Sequence, residues 1–125
     1  MTTVYTIATA NALLPYLAPT LVELREKFEA AENIREAMVR SAAGNGWSER
    51  RDEERTTMMR VAELMERVDK WDVILRDVAT GLVDFPAEIE GQSAFLCWRL
   101  GEAEVAYWHS AEDGFQGRRP LPGTH

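Results

Sequence analysis

The chain lacks the covalent and metal staples on which many small proteins rely. A single cysteine in 125 residues excludes an internal disulfide and any paired-thiol zinc motif. Histidine is nearly as scarce, with two residues and no His-Glu-x-x-His or comparable metal signature. No apolar run approaches the roughly 18–20 residues that span a bilayer. The opening Met1-Thr2-Thr3-Val4-Tyr5 has neither a basic start nor a long apolar core, so no secretory signal is expected and a cytoplasmic location is. Positive charge is in deficit: 14 Lys plus Arg stand against 21 Asp plus Glu, a formal net charge of −7, which argues against a nucleic-acid backbone as partner. The cluster Arg50, Arg51 and Arg55 is interleaved with Glu49, Asp52, Glu53 and Glu54, the pattern of a solvated helix face. Internal repeats and low-complexity segments are also missing.

What remains is a composition of 46% hydrophobic and 28% charged residues, that of one globular domain with a core of ordinary size. After a short extended entry at residues 4–7, Thr9 is placed to cap a helix. Leu14, Leu17, Leu21, Leu24, Phe28, Ala31 and Met38 then recur at spacings near three and four, opposite Glu23, Arg25, Glu26, Lys27 and Glu29. This predicts a long amphipathic helix over residues 10–43, with Pro15 and Pro19 in its opening turns and a kink at one of them. Gly44-Asn45-Gly46 reverses the chain and Ser48 caps a second helix, residues 48–71, whose stripe is Val61, Leu64, Val68 and Trp71 and runs on to Leu75, with Glu63–Arg67 and Glu66–Lys70 as i,i+4 pairs. The two make an antiparallel hairpin with coiled-coil packing, and Leu17, Leu21, Leu24, Val61, Leu64 and Val68 lie between them.

Composition and turn chemistry change after residue 80. The only Cys, one of the two His and six of the eight Gly fall between Gly81 and Gly123. A strand is expected to begin near Val73, and Thr80-Gly81, Glu90-Gly91 and Gly101-Glu102 read as turns. With two-residue loops at the last two, Asp84 lies opposite Cys97, Phe85 opposite Leu96, Arg99 opposite Glu104, Trp98 opposite Val105 and Cys97 opposite Ala106. One sheet face is then Val83, Phe85, Leu96, Trp98, Leu100, Val105 and Tyr107, packed on the hairpin. The outer face carries Asp84, Phe95, Cys97, Arg99, Glu104 and Trp108. The fold class is therefore α+β: a helical hairpin (9–72), a β-meander of three to four strands (73–110), and a C-terminal flap and tail (111–125).

Ala10-Asn11-Ala12-Leu13-Leu14-Pro15, Gly81-Leu82-Val83-Asp84-Phe85-Pro86, Leu96-Cys97-Trp98-Arg99-Leu100-Gly101-Glu102, Tyr107-Trp108-His109 and Gly114-Phe115-Gln116-Gly117-Arg118 resemble the small prokaryotic proteins classed as domain of unknown function 2203. The likeness covers nearly the whole chain. The last four motifs are specific, whereas the helical middle matches only in pattern. The resemblance implies a cytoplasmic bacterial or archaeal protein without an assigned activity, so it carries over no catalytic residues. Two departures are small: Thr9 stands where the family often has an acid, and Asp72 where it commonly has a glycine.

Asp84, Cys97, Arg99, Glu102, Glu104 and His109 are the residues that can do chemistry. Their oxygen, nitrogen and sulfur atoms are possible transition-metal donors, but the spacing fits no known signature and the register puts His109 across the sheet from Cys97, so no metal site is assigned. The plainer expectation for His109 is a strand-end histidine bonded to the loop that follows, and for Cys97 a buried structural thiol. Arg99 and Glu104 form the natural cross-strand ion pair. Gly114–Arg118 hints weakly at an anion-binding turn, against a flap whose Phe115 covers the outer face.

Two classes of function follow. The leading expectation is a self-associating interaction or structural module, a homodimer through the hairpin or the outer sheet face, because Met38, Met58 and Met59 exceed what two helices cover. The other is a small-anion- or metal-dependent enzyme or ligand-binding protein with its site on the outer face, built from Asp84, Arg99, Glu102, Glu104, Trp108, His109 and Arg118, where Arg99 and Arg118 supply the cations for a phosphate or carboxylate. An interaction module needs a flat apolar surface, and a ligand site needs a concavity where polar groups converge. No catalytic residue or cofactor is assigned.

Overall fold

A computed structural model describes residues 3–41, 44 and 46–121. Helix α1 (Ile7–Ser41) starts earlier than Thr9. Thr6 is the cap: its Oγ1 accepts the Thr9 backbone N–H at 3.1 Å, while Thr9 Oγ1 accepts the Thr6 N–H at 2.8 Å. This is a capping box with a threonine in place of the usual Glu or Gln, so Thr9 is its third helical residue. The helix runs through Pro15 and Pro19 without interruption. Over 18 residues it reaches a mean hydropathy of 1.2, long and apolar enough by composition to be weighed as a membrane span, which narrows the expectation drawn from the sequence. Its most buried residues, Leu17, Leu21 and Leu24, belong to one cluster with residues of the second helix and the sheet, the arrangement of a core helix.

Helix α2 (Trp47–Lys70) follows Gly46, whose φ of +84° serves the reversal, and no side chain caps it, so the expected role of Ser48 is not filled. Asn45 of the expected reversal and Ala43, the expected end of the first helix, lie outside the described residues. Arg60 ties the helices together, donating to both oxygens of Glu23 at 2.7 and 2.8 Å. It also takes Glu63, at 3.0 Å, while Glu66 and Lys70 pair as expected at 3.4 Å. All six residues predicted to fill the hairpin interface are buried. The helix stops at Trp71 because Asp72 takes φ +59°, the left-handed conformation favoured by glycine, and its carboxylate accepts the Thr3 N–H at 2.8 Å.

Five antiparallel strands follow in meander order: β1 (Ile74–Asp77), β2 (Leu82–Ile89), β3 (Gln92–Arg99), β4 (Tyr107–Ser110) and β5 (Arg119–Pro120). The fifth is a two-residue strand within the expected flap. Glu90 and Gly91, with φ of +53° and +78°, form the two-residue turn between β2 and β3, and the predicted pairing of Asp84 with Cys97 and Phe85 with Leu96 is present. The next connection differs. Residues 100–106 form a longer loop, so Cys97 faces Tyr107, Leu96 faces Trp108 and Phe95 faces His109. Relative to the expected pairing of Cys97 with Ala106, β4 has slipped by one residue, and such a slip exchanges its two faces. Trp108 turns in against the core; Tyr107 and His109 turn out. The inner face buries Val83, Phe85, Leu96 and Trp98 in one cluster with both helices, and Tyr5 extends the edge of β2, donating its N–H to Pro86 O at 2.7 Å.

Candidate functional site

The slip in β4 assembles a polar centre on the outer face. Asp84 on β2 and Cys97 on β3 sit directly opposite each other, and His109 on β4 reaches the same spot from the far side. All three are buried, Asp84 and His109 at 2% exposure each. His109 Nε2 lies 3.0 Å from both Asp84 oxygens. Its Nδ1 lies 2.9 Å from the Ser110 carbonyl, which can only accept, so Nδ1 is the donor there and Nε2 faces the Asp84 carboxylate. The expected bond from His109 to the adjoining loop is thus present, but the expected placement of His109 across the sheet from Cys97 is corrected.

Arg76 on β1 completes the centre, its Nε donating to Asp84 Oδ2 at 2.8 Å. The guanidinium lies over the Phe95 ring at 5.3 Å, and Phe95 packs against the His109 ring at 5.4 Å. Burial, with the Asp84 charge adding to it, pushes the Cys97 thiol up to about 12. A thiol so raised is protonated at neutral pH and is no nucleophile. Sequence reasoning missed Arg76 and Tyr107. The signal for Arg76 was its position on the predicted strand beside the segment that carries Asp84.

The other expected residues lie elsewhere. Glu102 and Arg118 pair, with Arg118 Nη2 donating to Oε1 at 2.6 Å and also to Oε2, and the guanidinium stacks 3.8 Å above the Tyr107 ring. Glu102 Oε1 also accepts the Arg99 backbone N–H at 2.8 Å. The side chains of Arg99 and Glu104 are exposed and form no ion pair with each other among the described residues. Their predicted cross-strand pairing is lost with the register, since β3 and β4 do not pair beyond Cys97 and Tyr107. Trp108, expected outside, packs against the core, with Arg119 over its ring at 5.2 Å. The proposed cover by Phe115 rests on a side chain outside the described residues. The predicted constellation therefore divides into an Asp84–His109 centre and a Glu102–Arg118 pair, joined through Cys97 opposite Tyr107.

Above the first of these opens a concavity of about 350 Å³, lined by Arg76, Asp84 and His109 below and by residues 111–114 at the rim, among them Glu112 and Asp113. A second groove of about 520 Å³ runs beside α1 between Arg25, Phe28 and Asp77 and shares Arg76. It contains none of the buried ionisable groups. Residues 3–121 match the family described as uncharacterized conserved protein (DUF2203). The chain belongs to that family. No curated protein and no solved structure matches it. The motifs by which a DUF2203 chain was recognised in the sequence are the ones that supply Asp84, Cys97, Glu102, Tyr107, His109 and Arg118 to the outer face.

Proposed function

We propose that this DUF2203 protein binds a small ligand on the outer sheet face, in the concavity above Asp84 and His109. One observation carries the reading: two ionisable side chains, each 2% exposed, face one another at the floor of a space of about 350 Å³. Holding such groups away from water is costly, and a face that served only for packing would be cheaper to build from apolar residues. The volume is within the range of small-molecule sites. Binding is better supported than covalent or acid–base chemistry, because both ring nitrogens of His109 are engaged and the Cys97 thiol is held protonated. A thermal-shift screen of anionic metabolites and divalent ions tests the proposal on wild type, His109→Gln and Arg118→Ala. Stabilisation that is lost in His109→Gln and kept in Arg118→Ala supports it; stabilisation lost only in Arg118→Ala moves the site to the Glu102 pair.

A second reading, self-association through the helices, has its own observation. Among the described residues of 32–60, the far half of the hairpin, none is buried, and Val39 and Met59 are 75% and 61% exposed. A two-helix arm of this kind leaves its seam half covered, which a second copy would close. Sedimentation over a wide concentration range, with Met38→Glu as the disrupting variant, decides between a dimer and a monomer.

A further inference from the structure

We infer that the outer-face site takes a divalent transition-metal ion of the zinc or cobalt type, held by Asp84, Cys97 and His109 with one position left open to the concavity. The inference rests on the binding reading above and names its ligand.

The donor set comes first. The carboxylate oxygen, thiol sulfur and imidazole nitrogen all lie within 4.8 Å of one another, each contributed by a different strand. On a tetrahedral ion with bonds of about 2.0–2.3 Å the donors stand roughly 3.3–3.8 Å apart, so a separation at the 4.8 Å limit has to close by about 1–1.5 Å. The Nε2 to Asp84 separation is already 3.0 Å. A mixed sulfur, nitrogen and oxygen set selects borderline ions over calcium or magnesium, which require many oxygens. Three protein donors with an open fourth position are the arrangement of a reactive or exchangeable site, whereas purely structural zinc sites are closed by four.

The second observation is independent of the donors and concerns what holds them. Metal-binding imidazoles characteristically donate their other N–H to a carbonyl or carboxylate, which aims the free nitrogen. His109 does this through Nδ1 to the Ser110 carbonyl at 2.9 Å, and Nε2 is thereby turned to the centre of the cluster. Arg76 holds the carboxylate by donating to Oδ2 at 2.8 Å, while Oδ1 lies 3.0 Å from His109 Nε2, a contact that an ion between them would replace. Glu112 and Asp113 at the rim favour entry of a cation.

On coordination the Cys97 thiol proton leaves for solvent as the metal–sulfur bond forms. No oxidant or reductant is involved, and a coordinated thiol is deprotonated by the ion itself.

The test uses the full chain without a histidine tag, under reducing conditions, titrated with cobalt(II) chloride. Because Cys97 is the only cysteine, any thiolate-to-cobalt charge-transfer absorption of the wild type arises from it alone. The expected result is one equivalent of cobalt with that absorption, displaced by zinc, and lost in Cys97→Ser. Arg76→Ala, at a half-exposed residue whose replacement spares the core, is expected to weaken cobalt binding about 10–100-fold. Cobalt that binds without the thiolate band, or no binding by chain shown to be folded by circular dichroism, overturns the inference. If the screen above finds an organic ligand lost in His109→Gln while cobalt gives no band, the metal assignment falls and the binding reading stands. If neither produces a response, both fall.

Discussion

Replacing Asp84 by alanine tests the outer-face centre as a unit. The carboxylate is 2% exposed, is hydrogen-bonded with His109 Nε2 at 3.0 Å and accepts from Arg76 Nε at 2.8 Å. Removing one partner of a buried ion pair costs about 3–5 kcal/mol when the survivor has no escape. Arg76 does have one, since its side chain is 45% exposed and water can replace the lost bond. His109 does not, and its Nε2 is left unmet at about 1–3 kcal/mol. The expected loss is therefore about 2–4 kcal/mol, intermediate between the two limits. With a urea slope of about 2 kcal/mol/M the unfolding midpoint should fall by roughly 1–2 M. The double variant Asp84→Ala/His109→Ala should be less damaged than the sum of the single variants, by about 1 kcal/mol or more. Additive single effects, or a loss for Asp84→Ala below about 1 kcal/mol, would refute the coupling and with it the claim that these two buried groups form one centre.

The remaining predictions concern the scaffold and the thiol. Leu64, fully buried between the helices, should lose about 2–5 kcal/mol on replacement by alanine, measured by chemical denaturation. Gly81 takes φ +66°, and a Cβ there would lie 2.5 Å from Leu100 Cδ1, so Gly81→Ala should cost about 1–3 kcal/mol in the same assay. Cys97 gives a pH dependence: its folded thiol is held protonated to about 12, whereas an unfolded thiol ionises near ~8.5. The unfolded chain then holds fewer protons, so the thiol's contribution is complete below about pH 8.5 and is lost as pH rises towards 12, at up to about 1.4 kcal/mol per pH unit. Denaturation at pH 8 and pH 10 should show a steeper alkaline loss in wild type than in Cys97→Ala, and equal slopes would contradict the assignment.

The helices were legible because their apolar spacing is long and regular, and Leu17, Leu21, Leu24, Val61, Leu64 and Val68 are where that spacing puts them. The first hairpin was legible because Glu90-Gly91 sets a two-residue turn whose register runs the length of β2 and β3. The second hairpin was not. Gly101-Glu102 has the local chemistry of a tight turn, but the loop is held open by distant partners: Asn11 Oδ1 accepts the Val105 N–H at 2.7 Å, and the Leu121 N–H donates to Ala106 O at 2.8 Å. Trp98 Nε1, donating to Glu102 O at 3.1 Å, adds to it. Contacts from residues 11 and 121 have no local signature. Alternation offered no correction either, because Tyr107 and Trp108 are aromatic on both faces. That single residue of slip hid the meeting of Asp84 with His109 and substituted a predicted Arg99–Glu104 pair that does not form. Asp72 gave no local sign of its conformation either, since it is a non-glycine residue in the left-handed region that ends α2.

That this protein binds its ligand in the concavity over Asp84 and His109 can be read from amide mapping by ¹H–¹⁵N NMR. Titration of the labelled full chain with zinc chloride, and with whichever metabolites stabilise it, should move the amides of residues 82–84, 97 and 109–114 together and leave those of residues 32–60 in place. Shifts confined to the hairpin arm, or to the surroundings of Glu102 and Arg118, would contradict it.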